Sequence, residues 1–379
     1  MKKIYSLHRI AALLLAVIML SLPACKKDGV TGGTPALTKV SAIKDLAGSI
    51  TTGNMGDWIA LHGSHLADIR EIKFNDVVVD LEEIYEKDDV VYLQVPVKLP
   101  QEVTDKIYVT TPGGEVTYTF TVNSPDLELT GMFNEYTPPG DTIRIYGKFI
   151  TLYEIDASNA VVRFGDIETP VISATDNSIT ARVPADVQPN VKVQLKSNKY
   201  DVVAECPGFY QDKQHVITTF DSDYPYTNAT GQQWVGAWTN PKPTSGKYIR
   251  FEVNQATYPD GLGWFYLMEN SYVYTVDMIQ HPENYTLKFE LNMTQPIKST
   301  NFFIYYYWAV APQPIGSDLF TVQTFGRWQT VSIPLEKIIP MGNTTTDTSF
   351  SLNFRVENFA PVETVAMYFD NLRIYKKGE

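Results

Sequence analysis

The chain has 379 residues, 44% of them hydrophobic, and carries 31 Lys and Arg against 43 Asp and Glu, a net charge of −12. That balance argues against nucleic acid and other polyanions as partners, because binding them needs basic surface. Two cysteines in the whole chain give no disulfide framework, and a length of this order divides into two or three domains on the usual size scale.

Lys2, Lys3 and Arg9 form a positive start, Ile10 to Leu22 is apolar but short for a membrane span, and Leu22-Pro23-Ala24-Cys25 follows. The pattern resembles a bacterial lipoprotein signal with its lipobox, which implies removal of residues 1–24 and acylation of Cys25. An ordinary secretory signal with a chance cysteine is the plainer alternative. Loss of residues 1–24 leaves 28 basic and 43 acidic residues, a net charge of −15. No other segment approaches the ~20 apolar residues of a span. The mature protein is therefore expected to hang from outer-membrane lipid by its acylated cysteine, on a Gly-, Thr- and Lys-rich tether over residues 25–38. Cys206, beside Pro207, would then be the lone thiol, expected to be a small buried side chain because no His partner motif accompanies it.

An internal repeat follows. Gly56-Asp57-Trp58-Ile59-Ala60-Leu61-His62-Gly63 is echoed by Gly140-Asp141-Thr142-Ile143-Arg144-Ile145-Tyr146-Gly147. Each copy continues into a stretch ending in Phe, at Phe74-Asn75 and Phe164-Gly165, and then into an alternating stretch ending Val95-Pro96 and Val183-Pro184. Order and spacing are kept, which indicates duplication. Short alternating strands punctuated by Gly, Pro, Asn and Asp predict a small β-sandwich over 39–123 and another over 124–211. The Gly-Asp turn, apolar strand and closing Gly, with the hairpin Thr110-Thr111-Pro112-Gly113-Gly114, resemble the TIG or IPT class of immunoglobulin-like domains. The resemblance implies that these domains act mostly as spacers.

Glu154-Ile155-Asp156-Ala157-Ser158 begins like a strand on which some jelly-roll glycosidases set two carboxylates, a chemistry that needs both on one face flanking the scissile bond. Asn159 replaces the third member, and the segment falls in a predicted loop whose twin has nothing similar. No His-Glu-x-x-His, Gly-x-Ser-x-Gly or phosphate-cradling loop is present, and the five His residues are scattered. The chain reads as a non-enzyme.

Residues 212–379 hold 30 of the 47 aromatic residues and five of the six Trp. Eight stretches alternate as strands: 216–220, 248–253, 264–268, 285–293, 302–310, 328–334, 350–357 and 365–375. With no helix signal among them, the pattern predicts a jelly-roll sandwich. The run Asn301-Phe302-Phe303-Ile304-Tyr305-Tyr306-Tyr307-Trp308 has rings on both faces of its strand. If Ile304 marks the core face, Phe302, Ile304 and Tyr306 point inward, while Phe303, Tyr305 and Tyr307 face out and Trp308 closes the strand. Flat, weakly polar rings suit the apolar faces of sugars. Trp308, Tyr307, Tyr305 and Phe303 are expected to form the platform, and Trp264 a second one. Asn353, Arg355 and Glu357 would supply hydrogen bonds to hydroxyls if their strand lies in the same sheet. Trp234, Trp238 and Trp328 are as well explained by core packing.

The opening Val216-Ile217-Thr218-Thr219-Phe220-Asp221 and closing Met367-Tyr368-Phe369-Asp370-Asn371-Leu372-Arg373-Ile374-Tyr375 resemble the first and last strands of jelly-roll carbohydrate-binding modules. Behind the lipobox and two TIG-like domains, the order of parts resembles the B-type surface glycan-binding proteins of Sus-like uptake systems. The expected fold is therefore all-β: two tandem Ig-like (TIG/IPT) β-sandwiches, then a carbohydrate-binding-module-like jelly roll. The resemblance implies capture of an oligo- or polysaccharide at the outer surface and delivery to a TonB-dependent transporter and its lipoprotein partner. The acidic charge favours a neutral glycan such as a β-glucan. A glycan-cleaving lipoprotein and a protein-binding adhesin are the alternatives. Asp370, with Asp221 and Asp223, is a candidate set for a structural Ca²⁺, against the simpler role of turn-capping acids.

Overall fold

A computed structural model describes residues 33–221, 235–261, 263–268, 273–296, 301–305, 320, 322, 324–346, 352–359 and 364–379. The predicted signal, Cys25, part of the tether, Asp223, Trp234, Tyr306, Tyr307 and Trp308 lie outside the described residues. Among the described residues no helix is long and apolar enough to cross a membrane. The chain divides into two compact units, one ending at Pro125 and one beginning at Asp126.

The first unit is a sandwich of two four-stranded sheets. One is ordered Ala36–Ala42, Trp58–Ser64, Val90–Gln94, Tyr85–Glu86, and the other Val77–Val78, Glu71–Phe74, Lys106–Thr111, Gly114–Thr119. Alternation along the strands sends Val40, Ile59, Leu61, Val91 and Leu93 from one sheet against Ile72, Phe74, Ile107 and Val109 from the other, all buried. The predicted Thr-Pro-Gly-Gly hairpin is present, with Thr111 opposite Gly114.

The repeat is explained by backbone geometry that both copies share. Gly56 and Gly140 sit at φ +82° and +86°, where a side chain is strained. Each donates its N–H to the Val of the later Val-Pro pair, Gly56 to Val95 and Gly140 to Val183, both at 2.9 Å. The closing glycines answer a different need. A Cβ at Gly63 would lie 1.9 Å from the Ala36 carbonyl oxygen, and one at Gly147 2.6 Å from that of Glu128, beside a register shift in the neighbouring strand of each copy.

In the second unit, residues 128–210 form one continuous path of strands: Glu128–Met132, Thr142–Lys148, Ser178–Arg182, Ile167–Thr175, Ala160–Phe164, Val193–Ser197, Val202–Glu205. The long strand Ile167–Thr175 pairs with both halves and so joins them. Cys206 is buried as expected, and burial pushes its thiol well up from the usual range.

The C-terminal domain packs a sheet ordered Val235–Gly236, Tyr248–Val253, Val365–Lys376, Tyr285–Met293, Gln329–Pro334, with Val216–Thr218 also on Val365–Lys376, against a three-stranded sheet. The latter is Gly263–Met268, Asn353–Asn358, Asn301–Tyr305. Phe289, Phe302, Phe354 and Phe369 interlock between them, Phe302 stacking on Phe369 at 5.3 Å. The expected absence of helix is corrected by one short turn, Val276–Gln280, whose first N–H groups are capped by the Thr275 hydroxyl accepting from Met278 N at 3.2 Å.

The strand Tyr285–Met293 also departs from its half-exposed pattern, since both of its faces are buried. Its polar set meets the second sandwich. Arg373 pairs with Glu290 at 2.8 Å and with Glu135 at 2.7 Å, and Lys288 pairs with Glu135 at 2.5 Å, all four side chains buried. Thr330 N donates to the Phe133 carbonyl, and Glu135 N to the Thr330 hydroxyl, each at 2.8 Å. Buried charge is tolerated here because each member has an opposite partner.

Candidate functional site

The strand Asn353–Asn358 is the middle of the three-stranded sheet, and its register decides which residues can act together. Leu352, Phe354 and Val356 are buried, as are their neighbours Phe302 and Ile304, so one set of alternate positions is core. The other set forms rows across the strands. Position 264 stands opposite Glu357 and 357 opposite Asn301; Tyr266 is opposite Arg355, and Arg355 opposite Phe303; Asn353 is opposite Tyr305. Paired residues in a ladder share a face. The backbone thus groups Trp264, Phe303, Tyr305, Asn353, Arg355 and Glu357, drawn from three separate stretches of sequence.

The polar members differ in their accessibility. Arg355 and Glu357 are partly exposed and form an ion pair, two residues apart on that face. Asn353 is only 1% exposed, so it does not present the open amide that alternation predicts. Alternation also shows what the sequence reading overlooked. Tyr266 is two residues from Trp264 on the same strand, and Phe359, just past the middle strand, is 71% exposed. Their signal was the period-two spacing and a large ring at a strand end.

Trp328 and Trp238 belong elsewhere. Trp328 meets Tyr248 edge-on at 5.4 Å and donates its indole N–H to the Lys242 carbonyl at 2.7 Å, while the Arg250 guanidinium lies 5.2 Å from the Trp238 ring.

The candidate calcium acids contact one segment, residues 244–247. Asp221 accepts from Lys247 N at 2.5 Å, and buried Asp370 accepts the Thr244 hydroxyl and Asn371 N. Among the described residues no group of three or more His, Cys, Asp or Glu side chains gathers, both of these carboxylates accept hydrogen bonds from the protein, and Asp223 lies outside the described residues. Burial drives the Asp370 carboxyl well above the usual carboxylate range. The carboxylates of the near-miss motif are committed too. Glu154 is held by Lys199 and Tyr200, and Asp156 caps a turn through Ser158 and Asn159.

Residues 210–376 match the family model described as surface glycan-binding protein B xyloglucan binding domain. The C-terminal domain belongs to the surface glycan-binding protein B family. Residues 128–210, in front of it, match the IPT/TIG domain. The chain is similar to the surface glycan-binding protein PbSGBP-B from Prevotella bryantii, at 18% identity over 91% of this chain and 99% of that one, with a TM-score of 0.54. It is also similar to SGBP-B from a complex xyloglucan utilization locus in Bacteroides uniformis, at 16% identity over 90% and 99% of the two chains, with a TM-score of 0.44. A third similar structure is the Bacteroides ovatus mixed-linkage glucan utilization locus SGBP-B in complex with mixed-linkage heptasaccharide, at 12% identity over 86% and 76%, with a TM-score of 0.25. No curated protein matches the chain. The similarity to the Prevotella structure agrees with the all-β fold described above for this chain, two Ig-like sandwiches and a carbohydrate-binding-module-like jelly roll.

Proposed function

We propose that this chain is a non-catalytic, cell-surface polysaccharide-binding lipoprotein that holds a neutral glycan, a β-glucan such as xyloglucan or mixed-linkage glucan, on the three-stranded sheet of its C-terminal domain. The observation that carries the reading is the ladder register that groups Trp264, Phe303 and Tyr305 with Arg355 and Glu357. Rings on a sheet stack against the axial C–H groups of a sugar, while the neighbouring charged pair supplies donors and acceptors to its hydroxyls. Tyr307 and Trp308, which follow Tyr305 in the sequence and lie outside the described residues, are proposed as further members of the platform. Acylation of Cys25 anchors the protein in outer-membrane lipid, and the captured chain passes to a TonB-dependent transporter and its lipoprotein partner.

Affinity electrophoresis through xyloglucan and through mixed-linkage β-glucan tests the site. Wild type is expected to be retarded by at least one of them, and Trp264→Ala with Trp308→Ala to lose most of that retardation. Unchanged retardation of the double variant would remove both residues from the site. Chromatography of either glucan after long incubation with the protein is expected to show full-length polymer, whereas any shortening would make the protein a hydrolase.

A further inference from the structure

The first sandwich has an outer face that its fold does not require. In the sheet Ala36–Ala42, Trp58–Ser64, Val90–Gln94, Tyr85–Glu86, the residues opposite to the core form three rows. Trp58 stands beside Gln94; Ser41, Ala60, Tyr92 and Tyr85 form the next row, in which Ser41 and Ala60 are fully buried; Lys39 and His62 form the third. Trp58 is 45% exposed and Tyr85 70%, while Tyr92 between them is half-buried. Strands about 4.8 Å apart and a pleat repeat of roughly 7 Å along them set these three residues at neighbouring positions of one face. Among the described residues none hydrogen-bonds to the Trp58 indole or to the hydroxyls of Tyr85 and Tyr92.

The second sandwich is an internal control for the need for these rings. Its register repeats that of the first, with Thr142 opposite Arg182, Arg144 opposite Thr180, and Thr180 opposite Ser173. Where the first copy has Trp58, Tyr92 and Tyr85, the second therefore has Thr142, Thr180 and Ser173, and it folds with them. Large exposed rings that the scaffold can do without mark a contact surface.

The charge of the face selects the kind of contact. Its single ionic side chain, Lys39, spends its ammonium on the Leu46 and Ala47 carbonyls at 2.8 and 3.1 Å. His62 is paired with the Ser41 hydroxyl at 2.8 Å, and burial followed by nearby Lys39 pushes its ring below the usual imidazole range, toward the neutral form. Gln94 is exposed at the edge of the rings, its amide nitrogen donating to the Gly56 carbonyl at 2.8 Å. The accessible part of the face is thus aromatic and uncharged, with the Gln94 amide at its margin. In a chain of net charge −12 that combination matches a neutral polyhydroxylated ligand.

We propose that Trp58, Tyr92 and Tyr85 form a second glycan-binding site, on the first Ig-like domain, for a neutral polysaccharide chain. Its ligand class rests on the reading given above for the C-terminal domain. Two sites on one chain raise the apparent affinity for a long polymer above that for a short oligosaccharide, because the second contact becomes intramolecular.

The whole mature chain with Trp58→Thr and Tyr92→Thr, the residues of the second copy, tests this against xyloglucan, mixed-linkage β-glucan and a mixed-linkage heptasaccharide. The variant is expected to melt with the wild type, to lose about tenfold in polymer affinity on electrophoresis, and to bind one heptasaccharide by calorimetry where wild type binds two. Tyr85→Ala, at an exposed edge, is expected to weaken polymer binding in the same direction and serves if the double variant is unstable. Unchanged retardation and stoichiometry in these variants, with binding abolished by Trp264→Ala and Trp308→Ala, overturns the second site and leaves the first standing. No binding of wild type to any of the three probes overturns both.

Discussion

Asp370 is a carboxylate that pays for its position. It is fully buried in the last strand, receives the Thr244 hydroxyl and the Asn371 N–H, and shares its surroundings with the charge of Glu290. Desolvation outweighs the two hydrogen bonds, so its folded-state pKa lies above the ~3.9 of an unfolded Asp. A raised folded value means that the native state holds the proton more tightly. The contribution to stability is full below about pH 4 and is lost as pH rises through the folded value. The melting temperature of Asp370→Asn relative to wild type is therefore expected to increase from pH 4 to pH 8 in calcium-free buffer. A difference that falls with pH in calorimetric scans would refute this.

At the scale of elements, the repeat and most strand positions were readable because alternation and Gly-Asp turns are local properties. Tyr248–Val253 and Tyr285–Met293 match their predicted ranges, and 216–220, 264–268, 328–334 and 365–375 differ by one or two residues at their ends, while the end of 302–310 and the start of 350–357 lie outside the described residues. What alternation does not report is what covers each face. Lys288, Glu290 and Asn292 look like a solvent-facing set, yet all three are buried, and Lys288 pairs with Glu135 of the second sandwich. The closing glycines carry a prediction of their own. Because a Cβ at Gly147 would meet the Glu128 carbonyl at 2.6 Å, Gly147→Ala is expected to destabilise the second unit by about 1–3 kcal/mol through forced backbone shifts, measurable by urea denaturation. A loss below a few tenths would show that the bulge can absorb the methyl.

Within the second unit, the sandwich and the jelly roll are joined by four buried charges and two backbone-anchored hydrogen bonds rather than by a bare linker. Glu135 is central, because it partners both Lys288 and Arg373. Glu135→Ala leaves both cations buried with one partner between them and is expected to cost about 3–5 kcal/mol in denaturant unfolding. Glu135→Gln, which keeps the shape, is expected to cost less. Equal stability of Glu135→Ala and wild type would mean that the joint is held by its neighbours instead.

The sequence by itself determined the duplication, the all-β class, the aromatic character of the last domain and the inward set Phe302 and Ile304, because periodicity and turn chemistry are written along the chain. It also supplied Trp264, Tyr305 and Arg355 as separate candidates. Only the tertiary structure brought these into one ladder, set Asn353 out of solvent, exposed Trp58 beside Tyr92 and Tyr85, and turned a polar strand face into a buried domain joint. Each of those outcomes depends on which strand lies next to which, and that is fixed by pairing across long stretches of chain rather than by any local pattern.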